Sequence, residues 1–175
     1  KTVANTIFDQ MSEFAKYAFN KSHAACYALV AYRTAYLKCY CPAEFMAALM
    51  TSVLDQSNKI ARYTAECKRL GIRLAPADIN TSMQGFTANK KIINYGLLGI
   101  KNVGKEFVDD IVKERKNGEF KDLPDFCMRL QGKHFNRRAV ESLIRCGAMD
   151  CFDLNRRQML QALPSIAANI ENYRQ

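Results

Sequence analysis

The sequence has no C-x-x-C pair, only two histidines and no apolar run long enough for a bilayer, and each shortage removes a class of chemistry. Cys39 and Cys41 are close enough to share a metal, but only His23 and His134 exist to complete the set, so zinc is not expected. The seven cysteines, Cys26, Cys39, Cys41, Cys67, Cys127, Cys146 and Cys151, sit mostly inside apolar helical patterns and read as buried reduced thiols. Their odd number, with no secretory leader and no membrane span, points to the cytoplasm. No Ser-His-Asp set, P-loop, dinucleotide fingerprint or metal-binding carboxylate cluster can be assembled, so no catalytic residue and no metal ligand are assigned. Asp109-Asp110 is the only paired carboxylate, and on an amphipathic helix it reads as charged surface.

What is present is a chain of 175 residues with a large apolar fraction, enough for one medium domain or two small ones. Lys1 comes first and helical pattern starts almost at once, so the chain is expected to be an internal piece of a longer protein. The net charge of +9 is spread along the sequence. An anionic partner, most often nucleic acid, is the reading favoured for such a balance, with simple solubility as its alternative.

The fold class expected is mostly α. Asn5 to Phe19 places Ile7, Met11, Phe14, Ala15 and Ala18 on one face. After the polar turn Asn20-Lys21-Ser22, eighteen residues run without Gly or Pro to Tyr40, a helix of roughly 27 Å at about 1.5 Å per residue, with Ser22 as N-cap and Pro42 beyond its end. It is apolar on most faces yet short and tyrosine-rich, so other helices are expected to surround it as the central element. Residues 42–50 continue as a short helix with Phe45, Met46 and Leu49 inward; Ser57 caps another over 58–70, which Gly71 ends. Residues 72–95 lose helical period, and 86–87 with 92–95 can pair as a small β-hairpin.

The second half opens with GLLGIKNVGKEFVDDIVKER. Two short helices joined by a turn at Asn102-Val103-Gly104 are predicted, with the amides of Val103, Gly104 and Lys105 at a helix N-terminus, where a phosphate is favoured. An ordinary helix-turn-helix corner has the same pattern, and both readings stay open. Asp122 caps the next helix; Asn136-Arg137-Arg138 and Asn155-Arg156-Arg157 head two more, a faint repeat whose arginines suit either an anion or solvent.

The string IFDQMSEFAKYAFNKSHAACYALVAYRTAYLKCYCPAEFMAA, with PADINTSMQGF, YGLLGIKNVGKE and ESLIRCGAMD following in order, resembles the bacterial replicative polymerase III alpha subunits, the C-family DNA polymerases. The resemblance covers nearly the whole chain. It implies a DNA-directed DNA polymerase piece with the C-terminal part of the fingers over 1–71, a connector over 72–95, a tandem helix-hairpin-helix region over 96–162 and a tail over 163–175 leading towards the clamp-binding region. It implies that Asn20, Lys21, Ser22, His23 and Tyr27 meet the incoming deoxynucleotide; the alternative for His23 and Tyr27 is mutual packing on a buried face. It implies that Lys101, Asn102, Val103, Gly104 and Lys105, assisted by Arg137 and Arg138, hold primer-template duplex by its backbone without reading sequence. Asn102 replaces the family's first hairpin glycine, and Asn is the next-best residue for a left-handed backbone. The second hairpin, near Leu143 to Ala148, is degenerate. No cofactor is implied for these residues, since the aspartates that hold Mg2+ belong to the palm; the sliding clamp and other replisome subunits are met outside them, and no membrane is involved. The rival reading is a non-enzymatic helix-hairpin-helix module of a repair or competence protein, using 96–162 for DNA and the first half for protein partners.

Overall fold

The computed structural model describes residues 2–16, 21–132 and 134–172. They form two compact units, residues 1–40 and 41–175. The first contains α1 (Thr2–Lys16) and α2 (Lys21–Tyr40). The expected N-cap Ser22 lies inside the first turn of α2, and Ala18, Phe19 and Asn20 lie outside the described residues.

Within the first unit, the described part of the stretch 19–40 does not take the central, buried role expected of it. No residue of α2 is buried, and Tyr27, Leu29, Val30, Tyr32, Tyr36 and Tyr40 are all exposed. On α1, Ile7, Met11 and Phe14 are exposed as well. A helix that is apolar all round needs neighbours, but composition does not say that the same stretch of chain supplies them.

The second unit holds the core, in two parts. In the first, α3 (Pro42–Thr51) turns Ala43, Met46, Ala47 and Met50 inward and packs with α4 (Ser57–Arg69) on a small sheet. Ser57 is the first residue of α4 rather than its cap, which is Gln56 without a side-chain bond. Gly71 follows with φ +70, as a helix stop requires. The sheet has the order β1 (Arg73–Ala75), β3 (Ile92–Asn94), β2 (Thr87–Asn89). The hairpin is present and tighter than the sequence suggests: Asn89 faces Ile92, leaving Lys90-Lys91 as a two-residue loop with Lys90 at φ +55. Strand β1, parallel to β3, was not expected.

The second part packs α5 (Lys105–Glu114), α6 (Leu123–Leu130), α7 (Arg137–Cys146) and α8 (Arg156–Asn172) around Phe107, Ile111, Leu123, Phe126, Leu143, Met149 and Leu163. The expected caps form: Asp122 accepts from the Asp125 amide at 2.7 Å and Asn136 from the Arg138 amide at 2.9 Å. Tyr95 packs against both parts, its ring 4.7 Å from that of Phe86.

The loop PADINTSMQGF is a clasp within this unit. Asp78 Oδ1 accepts from the amides of Asn80 and Thr81 at 2.7 and 3.0 Å, fixing the turn. Asn80 then pairs with the Phe120 backbone as a strand would, donating at 3.0 Å and accepting at 2.8 Å. Arg115, at the end of α5, donates to the carbonyls of Ile79 and Ser82. Of the cysteines only Cys67 and Cys127 are buried, and the other five are exposed. Burial pushes the Cys127 thiol up to about 12. An apolar helical neighbourhood therefore misled for the five: Cys26 and Cys39 lie on α2, which buries no residue, and Cys41, Cys146 and Cys151 fall at helix ends and turns.

Candidate nucleic-acid interface

The first hairpin is built from a 3-10 turn over Leu97–Gly99, the bend at 100–104 and α5. Leu97 and Ile100 are buried and anchor it. The first of the two expected helices is thus only one turn long. Asn102 has φ +67, so the residue standing where the family has glycine does take the left-handed backbone. Gly104 has φ −81 and ψ 156, an ordinary extended conformation, and a Cβ built there meets nothing within 4 Å. Its lack of a side chain serves open space, not the turn.

The amide of Val103 is not free for a ligand: it donates to Ile100 O at 3.3 Å, and Val103 itself is buried. Gly104 gives α5 no side-chain cap. The first-turn amides of Lys105, Glu106 and Phe107 precede the first intrahelical bond, from Val108 to Gly104 O at 3.1 Å, and so have no acceptor within their own helix. Lys101, Asn102, Gly104 and Lys105 are exposed around them.

The bend docks on α7. Asn102 Nδ2 donates to Ser142 Oγ at 3.2 Å, and Ser142 Oγ donates to Arg138 O at 3.0 Å. Sequence gave no hint of Ser142, forty positions from its partner and one polar residue among many. The bend is thereby tied to the helix that Arg137 and Arg138 begin. Both arginines are exposed, and Arg137 Nε donates to Glu141 at 3.1 Å. Asn102, Gly104, Lys105, Glu106, His134 and Asn136 line a shallow cleft of about 280 Å³ over the start of α5.

His134 is a second residue that sequence reasoning assigned no role here. Its Nδ1 lies 2.9 Å from Asp110 and its Nε2 3.6 Å from Glu106. The hydrogen bond to Asp110 raises its pKa above the ordinary value, so the cleft has a further group that gains positive charge readily. Asp109 and Asp110, expected on a solvated face, make tertiary contacts instead, with Gln84 and His134. Among the described residues no group of three or more His, Cys, Asp or Glu could hold a metal ion, and no helix is long and apolar enough to cross a membrane.

The second hairpin, between α7 and α8, is closed on itself. Gly147 is left-handed at φ +86; its amide and that of Ala148 donate to Ile144 and Leu143, while the amides of Asp150 and Phe152 donate to Gly147 and Met149. Asn155 and Gln158 each accept from the other's amide at 3.0 Å, a reciprocal cap at the head of α8. Arg156 Nε donates to Asp150 at 2.8 Å, its Nη2 donates to the same carboxylate, and this holds that carboxyl below the usual range.

In the first unit, Lys21, Ser22, His23 and Tyr27 occupy the opening turns of α2, with the His23 and Tyr27 rings 4.4 Å apart. Tyr27 is 63% exposed, so the two rings pack on an open face rather than a buried one. Asn20 lies outside the described residues.

A family profile described as the helix-hairpin-helix motif matches residues 71–159. Three curated relatives, all named DNA polymerase III subunit alpha, match most of the chain. That of Buchnera aphidicola is 44% identical over 177 residues, covering 99% of this chain and 15% of the relative. That of Pasteurella multocida is 49% identical over 150 residues, covering 85% and 13%. That of Bacillus subtilis is 43% identical over 160 residues, covering 91% and 14%. The chain thus spans about a seventh of the length of the curated relatives it matches.

Proposed function

This chain belongs to the helix-hairpin-helix family, and from that membership together with its relatives we propose that it is the fingers and hairpin part of a bacterial replicative DNA polymerase alpha subunit. Similarity to such subunits along nearly the whole chain, in one order, supports the polymerase context over a repair or competence module. In this reading 1–71 belong to the fingers, 72–95 connect, 96–162 hold duplex DNA, and 163–175 lead towards the clamp-binding region.

The observation that carries the DNA role is the uncapped start of α5 beside the open Gly104. Backbone amides and the helix dipole there favour a phosphate oxygen, and Lys101 and Lys105, with Arg137 and Arg138, supply neutralising charge. Such contacts position a duplex and carry no base code. With about four to six phosphates neutralised, log affinity against log salt should fall with a slope near −4 to −5. Fluorescence anisotropy of the chain on several unrelated duplexes across a salt series tests this. Strong preference for one sequence, or a flat salt response, contradicts it.

The residues present do not suit the two metal ions of phosphoryl transfer, since their only paired carboxylate is engaged by Gln84 and His134. The Mg2+-holding carboxylates are assigned to another part of the longer protein, as are the contacts with the sliding clamp and other subunits. The chain alone should extend no primer, and extension above a contaminant control would overturn this. In the full-length enzyme Lys21, Ser22, His23 and Tyr27, with Asn20, face the incoming deoxynucleotide. Tyr27→Ala should remove base stacking of about 1 to 3 kcal/mol and raise KM more than it lowers stability. Lost stability with unchanged nucleotide kinetics would leave the His23–Tyr27 contact as packing only.

A further inference from the structure

The bend at 100–102 also forms one wall of a different cleft, of about 550 Å³, whose facing wall is the second half of α7. Its charge is of one sign: Lys101 and Arg145 line it, and no carboxylate does. The rest of the lining is largely apolar, with Pro76 and Ala77 from the loop after β1 and Ile100 from the bend. Tyr95 is the aromatic member, half-buried, its ring so close to Gly99 that a Cβ there would fall 2.9 Å from Tyr95 Cε1. Glycine at 99 therefore keeps the ring seated against the backbone. Burial raises the phenol's pKa, so Tyr95 adds no negative charge.

An inorganic anion needs no apolar wall and no ring, and an apolar ligand needs no pair of cations. A nucleotide uses both, since its base stacks on an aromatic face and its phosphate meets Lys or Arg. We propose that this cleft binds a single nucleotide, its base against Tyr95 and the apolar wall and its phosphate towards Lys101 and Arg145. The nucleotide comes either from free solution or from an unpaired position on a strand held at the hairpin. Only the second source rests on the duplex-binding reading, because Asn102 lines both clefts.

Cys146 lines the cleft and is exposed; burial of its sulfur raises the thiol's pKa, so its alkylation at one fixed alkaline pH reports occupancy. The whole chain is alkylated with iodoacetamide, and mass spectrometry compares Cys146 with Cys151, also exposed and outside the cleft lining. The arms are dAMP, deoxyadenosine, inorganic phosphate, a blunt duplex, and the same duplex with one unpaired 3′ nucleotide. The expected result is selective protection of Cys146 by dAMP, or by the overhanging duplex beyond the blunt one, which identifies the source. Arg145→Glu, a change at an exposed position, should weaken that protection about tenfold or more through the lost charge-assisted contact. Equal protection by inorganic phosphate would make the cleft a plain anion site and overturn the proposal, as would no protection in any arm. Failure of the hairpin reading appears separately, as loss of duplex anisotropy while dAMP still protects Cys146.

Discussion

The turn before α5 and the turn before α8 share a plan, a tight bend feeding a helix, but the polar groups of the two bends go to different places. Before α8, the amides of Gly147 and Ala148 bond to the last carbonyls of α7 and those of Asp150 and Phe152 bond within the turn, Asn155 and Gln158 cap each other, and Arg156 is held by Asp150. Before α5, Gly104 offers no cap, and the left-handed residue is Asn102, whose side chain reaches back to Ser142. The first hairpin closes its bend with the Val103 amide, ties it to α7 through Asn102 and Ser142, and leaves its helix start open. The second uses its own amides and charges, with the Ile79 amide bonded to Ala148 O, and its helix start is capped. Shared topology therefore does not imply shared binding; what decides is whether the first-turn amides already have acceptors.

The largest effect that would sharpen this contrast is on stability. Gly147→Val forces a β-branched residue into φ +86 and places its Cβ against Arg156 and Asp150. A loss of about 2 to 4 kcal/mol is expected from the left-handed strain and the crowding together. Urea unfolding measures it, and near-neutral behaviour would mean that the second turn can be remodelled freely.

A smaller loss is expected at Asn102. Asn102→Val removes both the tolerance for φ +67 and the bond to Ser142, for about 1.5 to 3 kcal/mol, while Asn102→Gly should recover the backbone part. If Gly were no better than Val, the hydrogen bond rather than the backbone would be what the position requires.

The smallest effect concerns His134. The pKa of a group raised on folding contributes stability that is fully present below its unfolded value, ordinarily 6.5, and is lost as pH rises through the folded value. The difference in Tm between the parent and His134→Gln should therefore be greatest below pH 6.5 and shrink as pH rises beyond that. A difference that grows with pH would mean that Asp110 does not hold the protonated ring.

What was legible in the sequence was local. Asn136 and Asp122 cap as their positions suggest, Gly71 ends its helix with positive φ, and the strands at 87–89 and 92–94 pair across a short polar loop. Each is settled within about five residues. What was not legible depends on distant partners: β1 beside β3, Asn80 standing in for a strand against Phe120, and Ser142 holding Asn102. The amide of Val103 was misjudged because a 3-10-type bond closes inside the bend, which the residue pattern does not reveal. The site residues of α2 were reachable only by resemblance, since nothing in their spacing separates a stacking platform from an aromatic pair.

Gly104→Val tests the central claim most directly, because the backbone at Gly104 is ordinary and its Cβ direction is empty. The variant should unfold in urea like the parent. On unrelated duplexes measured by anisotropy, its affinity should fall about tenfold on all of them alike, because the branched side chain keeps phosphate from the amides. Unchanged affinity in the folded variant would remove the first hairpin from the DNA interface and leave it a structural corner.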